Sequence, residues 1–154
     1  MSLAVGSTVP DFTLKDQHGQ DTVLSAYVGH KAVVVLFYPY AFSRVCTSEL
    51  RQLRDAMPQF QNDEVQLLAI SCDHMFSLRA FAEADGLDYP LLSDFWPHGE
   101  VARAYGVFNA ERGCALRGTF VVDRGGVLSW AVVNAIPDAR DLDDCRRALD
   151  GLAA

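Results

Sequence analysis

Long apolar runs, basic clusters and paired cysteines are all missing from this chain of 154 residues. Its longest hydrophobic stretch, around Ala32 to Phe37, is far short of the roughly 18 residues a membrane-spanning helix needs, so no membrane partner is expected. Lys and Arg number 13 against 20 Asp and Glu, a formal net charge of −7. That balance excludes the basic footprint of a nucleic-acid-binding surface. The amino end, Met1 to Val9, lacks a basic segment followed by an apolar core and a cleavage site. A cytoplasmic protein is therefore expected. Internal repeats, low-complexity tracts and linker-like shifts in composition are absent too, which leaves one domain over 1–154 with a single core.

Cysteine usage excludes more. The four cysteines, Cys46, Cys72, Cys114 and Cys145, show none of the close spacing of a disulfide framework, and reduced thiols are the expectation. Cys72-x-His74 has no second ligand pair at zinc spacing, so neither a metal nor another cofactor is expected. Glu49 stands three residues after Cys46, where a thioredoxin-like disulfide reductase would carry its second cysteine. The histidines at 18, 30, 74 and 98 are scattered, and nothing brings one to Cys46 as a Cys–His hydrolase would need.

What the chain does have is concentrated between Ala32 and Met57. Val33 to Phe37 is a continuous apolar run, the pattern of a strand buried on both faces of a sheet. After a turn containing Pro39, the residues Cys46, Leu50, Leu53 and Met57 recur at the spacing of one helix face. Cys46 thus belongs to the first turn of a helix that follows a central strand. Unpaired N–H groups and the helix dipole favour an anion there, and thiolate, not thiol, is the nucleophilic form of cysteine. Ser43, three residues earlier, is placed to cap the helix on the Cys46 N–H or to touch the sulfur.

The remaining pattern builds a fold around that element. Pro10 to Leu14 and Thr22 to Leu24 flank a turn at Asp16 to Gly19 and read as an edge hairpin. Pro58 falls where the Cys46 helix loses its pattern. Val65 to Cys72 is a second continuous strand, and a helix marked by Leu78, Phe81 and Ala82 stops at Gly86. A loop through Pro90 to Pro97 leads to a short helix at Glu100 to Tyr105. Thr119 to Val122 and Val127 to Val132 flank Asp123-Arg124-Gly125-Gly126 and read as an antiparallel pair. Leu142, Cys145 and Leu149 give the closing helix its apolar face. The predicted class is α/β, a thioredoxin-like three-layer sandwich with a central mixed sheet and an N-terminal β-hairpin extension.

Pro39-x-x-x-Ser43-x-x-Cys46 resembles the active-site pattern of the peroxiredoxins. Pro10-Asp11-Phe12-Thr13-Leu14, Tyr89-Pro90-Leu91-Leu92-Ser93-Asp94 and Arg117-Gly118-Thr119-Phe120-Val121-Val122-Asp123 resemble the same family in the same order, so the likeness spans nearly the whole chain. The run Leu92 to Gly99 most resembles the AhpE-like one-cysteine group. The resemblance implies a thiol-dependent peroxidase that reduces hydrogen peroxide and organic hydroperoxides. Cys46 would be the peroxidatic cysteine that becomes a sulfenic acid, with Arg117 beside it, Ser43 orienting sulfur and peroxide, Pro39 shielding the site and Glu49 holding Arg117. It also implies a homodimer, and recycling by a low-molecular-weight thiol or a glutaredoxin- or thioredoxin-like reductant.

Each of these residues has a plainer use. A cysteine on an apolar helix stripe is usually a small core residue. Arg117 reads equally as a strand-edge surface arginine, and Glu49 as a solvated glutamate. Ser43 and Pro39 could do no more than cap the helix and end the strand. The expected resolving cysteines of the two-cysteine groups are absent, since Arg51 stands five residues after Cys46 and no Val-Cys-Pro tail follows the last helix. Cys145 reads as core. Cys114, following Gly113 in a loop, is the most exposed candidate for a resolving cysteine, with Cys72 second. An internal disulfide through either, or a peroxide-responsive sensor, is the alternative. Phe37, Tyr38, Phe42 and Trp96 are candidates for an apolar rim favouring organic hydroperoxides.

Overall fold

Continuous burial of the strand β3 (Ala32–Phe37) fixes the architecture, because both its faces must be covered. The computed structural model describes residues 3–153. Before β3 come β1 (Thr13–Lys15) and β2 (Asp21–Val23). After it come helices α1 (Arg44–Asp55) and α2 (Met57–Phe60), strand β4 (Val65–Ser71), helix α3 (Met75–Asp85), strand β5 (Leu91–Ser93) and helix α4 (Glu100–Ala104). The chain ends with β6 (Phe108–Asn109), β7 (Cys114–Ala115), β8 (Arg117–Val122), β9 (Leu128–Asn134) and α5 (Leu142–Ala153).

One seven-stranded sheet runs β2-β1-β5-β4-β3-β8-β9. β3, β4 and β5 are parallel, while β8 lies antiparallel to β3 and β9 antiparallel to β8, which makes the sheet mixed as predicted. Successive residues of β3 alternate between the two faces. Val34 and Leu36 join Leu50 and Leu53 of α1, Leu78 and Phe81 of α3 and Leu149 of α5. Val33, Val35 and Phe37 join Phe12, Val101 and Ala102 of α4, Tyr105 and Phe120. Helices on one face and α4 with the amino-terminal segment on the other give the three layers.

Local chemistry explains most boundaries. Asp16 Oδ1 accepts from the N–H groups of His18 (2.8 Å) and Gln20 (3.0 Å), closing the β1–β2 turn. Gly86, at φ 62°, caps α3 in the left-handed region that favours glycine. Asp123 Oδ1 accepts from Gly125 N–H (2.9 Å) and Val127 N–H (3.0 Å), which builds the β8–β9 turn.

α1 ends at Asp55, and Pro58, standing where the pattern fades, sits in the first turn of the separate helix α2, where its missing N–H costs nothing. Two segments differ from the pattern reading. Pro90 to Pro97 is no simple loop, for Leu91 to Ser93 form β5 against β4, a strand too short to show a period. Phe108–Asn109 and Cys114–Ala115 pair as a small second sheet that no periodicity announces.

Candidate active site

The connection between β3 and α1 places the sulfur. Pro39 is buried in it, and Phe42 adopts φ 68°, the one non-glycine residue with positive φ among the described residues. That conformation is unusual for a bulky side chain. Phe42 rests its ring 5.0 Å from that of Phe81. Ser43 follows as N-cap, its Oγ accepting from the Cys46 N–H at 3.3 Å. Cys46 therefore lies in the first turn of α1 on the inward face, with no exposed surface.

Arg117 reaches it from the neighbouring strand. It is the first residue of β8, whose pairing with β3 runs to Leu36 opposite Thr119, so it stands beyond the carboxyl end of β3, where sites of open α/β sheets gather. Period two puts Arg117, Thr119 and Val121 on one face, and Val121 belongs to the same core cluster as Cys46. Arg117 Nη1 donates to Cys46 Sγ at 3.1 Å and to Glu49 Oε1 at 2.6 Å, and its Nε donates to the Ile136 carbonyl at 2.6 Å.

Glu49 is buried rather than solvated, at 2% exposure. Its second oxygen, Oε2, accepts from the backbone N–H of Arg140 at 2.8 Å and from Arg140 Nε at 3.0 Å. Arg140 spends its remaining donors on the carbonyls of Gly118 (3.2 Å) and Phe37 (2.5 Å) and on Thr119 Oγ1 (3.0 Å). Burial pushes the Arg140 guanidinium below its ordinary value, and the charge of Glu49 opposes that shift. Two guanidinium groups against one carboxylate leave a buried formal charge of +1. Cys46 Sγ lies against that charge, where an anion would balance it. Sequence reasoning missed Arg140, because Asp138-Ala139-Arg140-Asp141 has the look of an ordinary charged loop.

The structure brings Cys46, Ser43, Arg117 and Glu49 together and keeps Pro39 on the same connection. It does not gather the other thiols there. Cys114, expected to be the most exposed, has no exposed surface, because the β6–β7 hairpin folds it inward. Cys72 is buried just past β4. Its thiol is pushed up to about 12, first by burial and then by Asp94 and by Cys114, against a hydrogen bond from the backbone of Ala115. Cys145 is core as expected, and burial likewise pushes its thiol up to about 12. The expected aromatic rim is halved: Phe37 and Tyr38 are completely buried, while Phe42 is 56% and Trp96 83% exposed.

A thiol-dependent peroxidase is the class that this thioredoxin-like fold, its cysteine and its known relatives define together. Residues 5–131 match the profile of the AhpC/TSA family, and the chain belongs to that family, the peroxiredoxins. Over 152 residues it is 49% identical to alkyl hydroperoxide reductase E of Mycobacterium tuberculosis, covering 99% of this chain and 97% of that protein. A putative peroxiredoxin of Synechocystis is 36% identical, covering 97% of this chain and 78% of that protein. Among solved structures, peroxidoxin BcpB of Mycobacterium tuberculosis superposes with a TM-score of 0.87 at 32% identity, covering 99% of both chains. The reduced 2-Cys peroxiredoxin of Plasmodium vivax gives a TM-score of 0.88 at 26% identity, covering 98% of this chain and 82% of that one.

Proposed function

We propose that this peroxidase reduces hydrogen peroxide and alkyl hydroperoxides through Cys46 alone, and that an external thiol restores it. The observation that carries the reading is the 3.1 Å contact of Arg117 Nη1 with Cys46 Sγ, inside a buried cluster whose charge calls for an anion. In the first step the Cys46 thiolate attacks the terminal peroxide oxygen. The S–O bond forms, the O–O bond breaks, and the leaving hydroxide or alkoxide takes a proton and departs as water or alcohol. Sulfur is oxidised to a sulfenic acid and the peroxide is reduced. Arg117 stabilises the charge that builds on the leaving oxygen. Ser43 orients sulfur and peroxide, Pro39 limits water, and Glu49 with Arg140 fixes the guanidinium.

Recycling takes two equivalents of thiol. The first attacks the sulfenic sulfur and expels water, leaving a mixed disulfide; the second frees the Cys46 thiol and leaves as the oxidised reductant. The burial of Cys72 and Cys114 favours this route over an internal disulfide. Four free thiols suit a reducing, cytoplasmic setting. A homodimer completes the reading, since Phe76, Phe95 and Trp96 expose apolar surface that a second copy would cover.

The deciding experiment is an intact-mass spectrum of reduced protein quenched seconds after one equivalent of hydroperoxide, beside Cys46→Ser. A gain of one oxygen, trapped at Cys46 by a sulfenic-acid reagent, is expected. A loss of two hydrogens would mean an internal disulfide and overturn the one-cysteine route.

A further inference from the structure

The outer face of α1 carries a surface groove of about 580 Å³ that the chemistry at Cys46 does not use. Phe42, Arg44, Thr47, Ser48, Arg51 and Gln52 line it. Positions 44, 47, 48 and 51 share one helix face, the one turned away from Cys46, Glu49, Leu50 and Leu53, which are buried. The groove starts at Phe42, next to the residue that caps the Cys46 turn.

Its charges are unevenly paired. Arg51 is tied to Asp85 at 2.7 Å, and Asp55, also on the groove wall, is tied to Arg54 at 3.0 Å. Arg44 is exposed and makes no ion pair or side-chain hydrogen bond among the described residues. A free guanidinium two residues before the reactive cysteine, in a chain of net charge −7, is a local attractor for anions within a surface that repels them. Thr47, Ser48 and Gln52 add hydrogen-bonding groups, and the exposed ring of Phe42 adds an apolar end.

We propose that this groove receives the reductant, and that the reductant is a low-molecular-weight thiol bearing a carboxylate that pairs with Arg44. The proposal rests on the one-cysteine reading above. Cys46 has no exposed surface, so a thiol, bulkier than a hydroperoxide, needs the first turn of α1 to open further before it reaches the sulfur. A thiol held by Arg44 already waits beside that turn.

The test isolates the reduction step. The Cys46 sulfenic acid is formed with one equivalent of hydroperoxide, and its decay is followed with 3-mercaptopropionate, 2-mercaptoethanol and cysteamine, each compared at equal thiolate concentration. The global charge alone ranks the cationic thiol first. The groove ranks the anionic thiol first, by about three- to fivefold over the neutral one at low salt, the scale of one exposed ion pair, with the advantage fading as salt rises. Arg44→Glu should reverse the ranking, and Arg44→Lys should keep it. Because the readout is a ratio within each variant, a general change in Cys46 reactivity cancels. Equal rates for the three thiols, or a ranking indifferent to Arg44→Glu, would overturn the proposal. If the sulfenic acid forms but none of the three thiols reduces it, this proposal alone fails; if no sulfenic acid forms, or it collapses to an internal disulfide, the one-cysteine reading fails with it.

Discussion

Glu49 Oε1 lies 2.6 Å from Arg117 Nη1, the same nitrogen that stands 3.1 Å from Cys46 Sγ. The other carboxylate oxygen holds Arg140. One buried glutamate therefore aims two cations, and only one of them touches the sulfur.

Arg117→Met should lower the second-order rate constant for hydroperoxide about 100-fold or more, the scale of one lost donor to a charged transition state. Arg117→Lys should recover little, because a single ammonium cannot serve Sγ, Glu49 and the Ile136 carbonyl at once. Stopped-flow oxidation of the reduced enzyme measures both. A wild-type rate in Arg117→Met would remove Arg117 from the reaction.

Glu49→Gln keeps the shape and removes the carboxylate charge, leaving Arg117 and Arg140 buried with no carboxylate between them. A loss of about 3 kcal/mol is expected, which for a chain of this size is a fall in melting temperature of about 6–12 °C. Thermal unfolding followed by circular dichroism reads it, and an unchanged midpoint would show that the pair contributes little to the fold.

Ser43→Ala deletes the N-cap and should cost about 1 kcal/mol of stability. If the hydroxyl also orients the peroxide, the oxidation rate falls about tenfold beyond what unfolding explains. Ser43→Thr keeps the oxygen and should keep both quantities. Chemical denaturation and peroxide kinetics on the same samples separate the two uses.

Alkaline pH should destabilise the fold through Cys72 and Cys145. Burial raises both thiols from 9.0 to about 12. Unfolded thiols lose protons from about pH 9 while the folded ones hold theirs, so the unfolded state binds fewer protons and stability falls as pH rises. The loss is about 1.4 kcal/mol per pH unit per thiol between pH 9 and 12. Replacing both by alanine should flatten that slope in urea titrations at pH 8 to 10.5. The same burial predicts that iodoacetamide leaves both thiols untouched at pH 8.

The parts of the site that were legible in the sequence are those written locally. A continuous apolar run, a serine three residues before a cysteine and a heptad-like stripe place Cys46 and Ser43 without any long-range contact. Glu49 entered only through the family resemblance, and its burial was not legible at all, since that depends on Arg140 arriving from 91 residues away. Arg117 was found through its motif. Arg140 carries no pattern of its own, and its place is decided by how the segment after β9 folds back over Phe37 and Gly118. Cys114 went wrong for a similar reason: a two-residue strand leaves no period to read, so the hairpin that buries it was invisible. β5 needed only three residues and a partner, β4, to become a strand.

The insertion of β8 beside β3 also sets a schedule. Cys46 and Arg117 are separated by 71 residues, and Arg140 comes later still. During synthesis the cysteine leaves the ribosome long before Arg117 or Arg140 can meet it, so a growing chain carries Cys46 without the two guanidinium groups of the buried cluster. A chain truncated after Leu116 should react with peroxide no faster than free cysteine. If Arg117 acts as proposed, reactivity is expected only once the closing strands dock, and peroxide sensitivity would then report on the completion of folding.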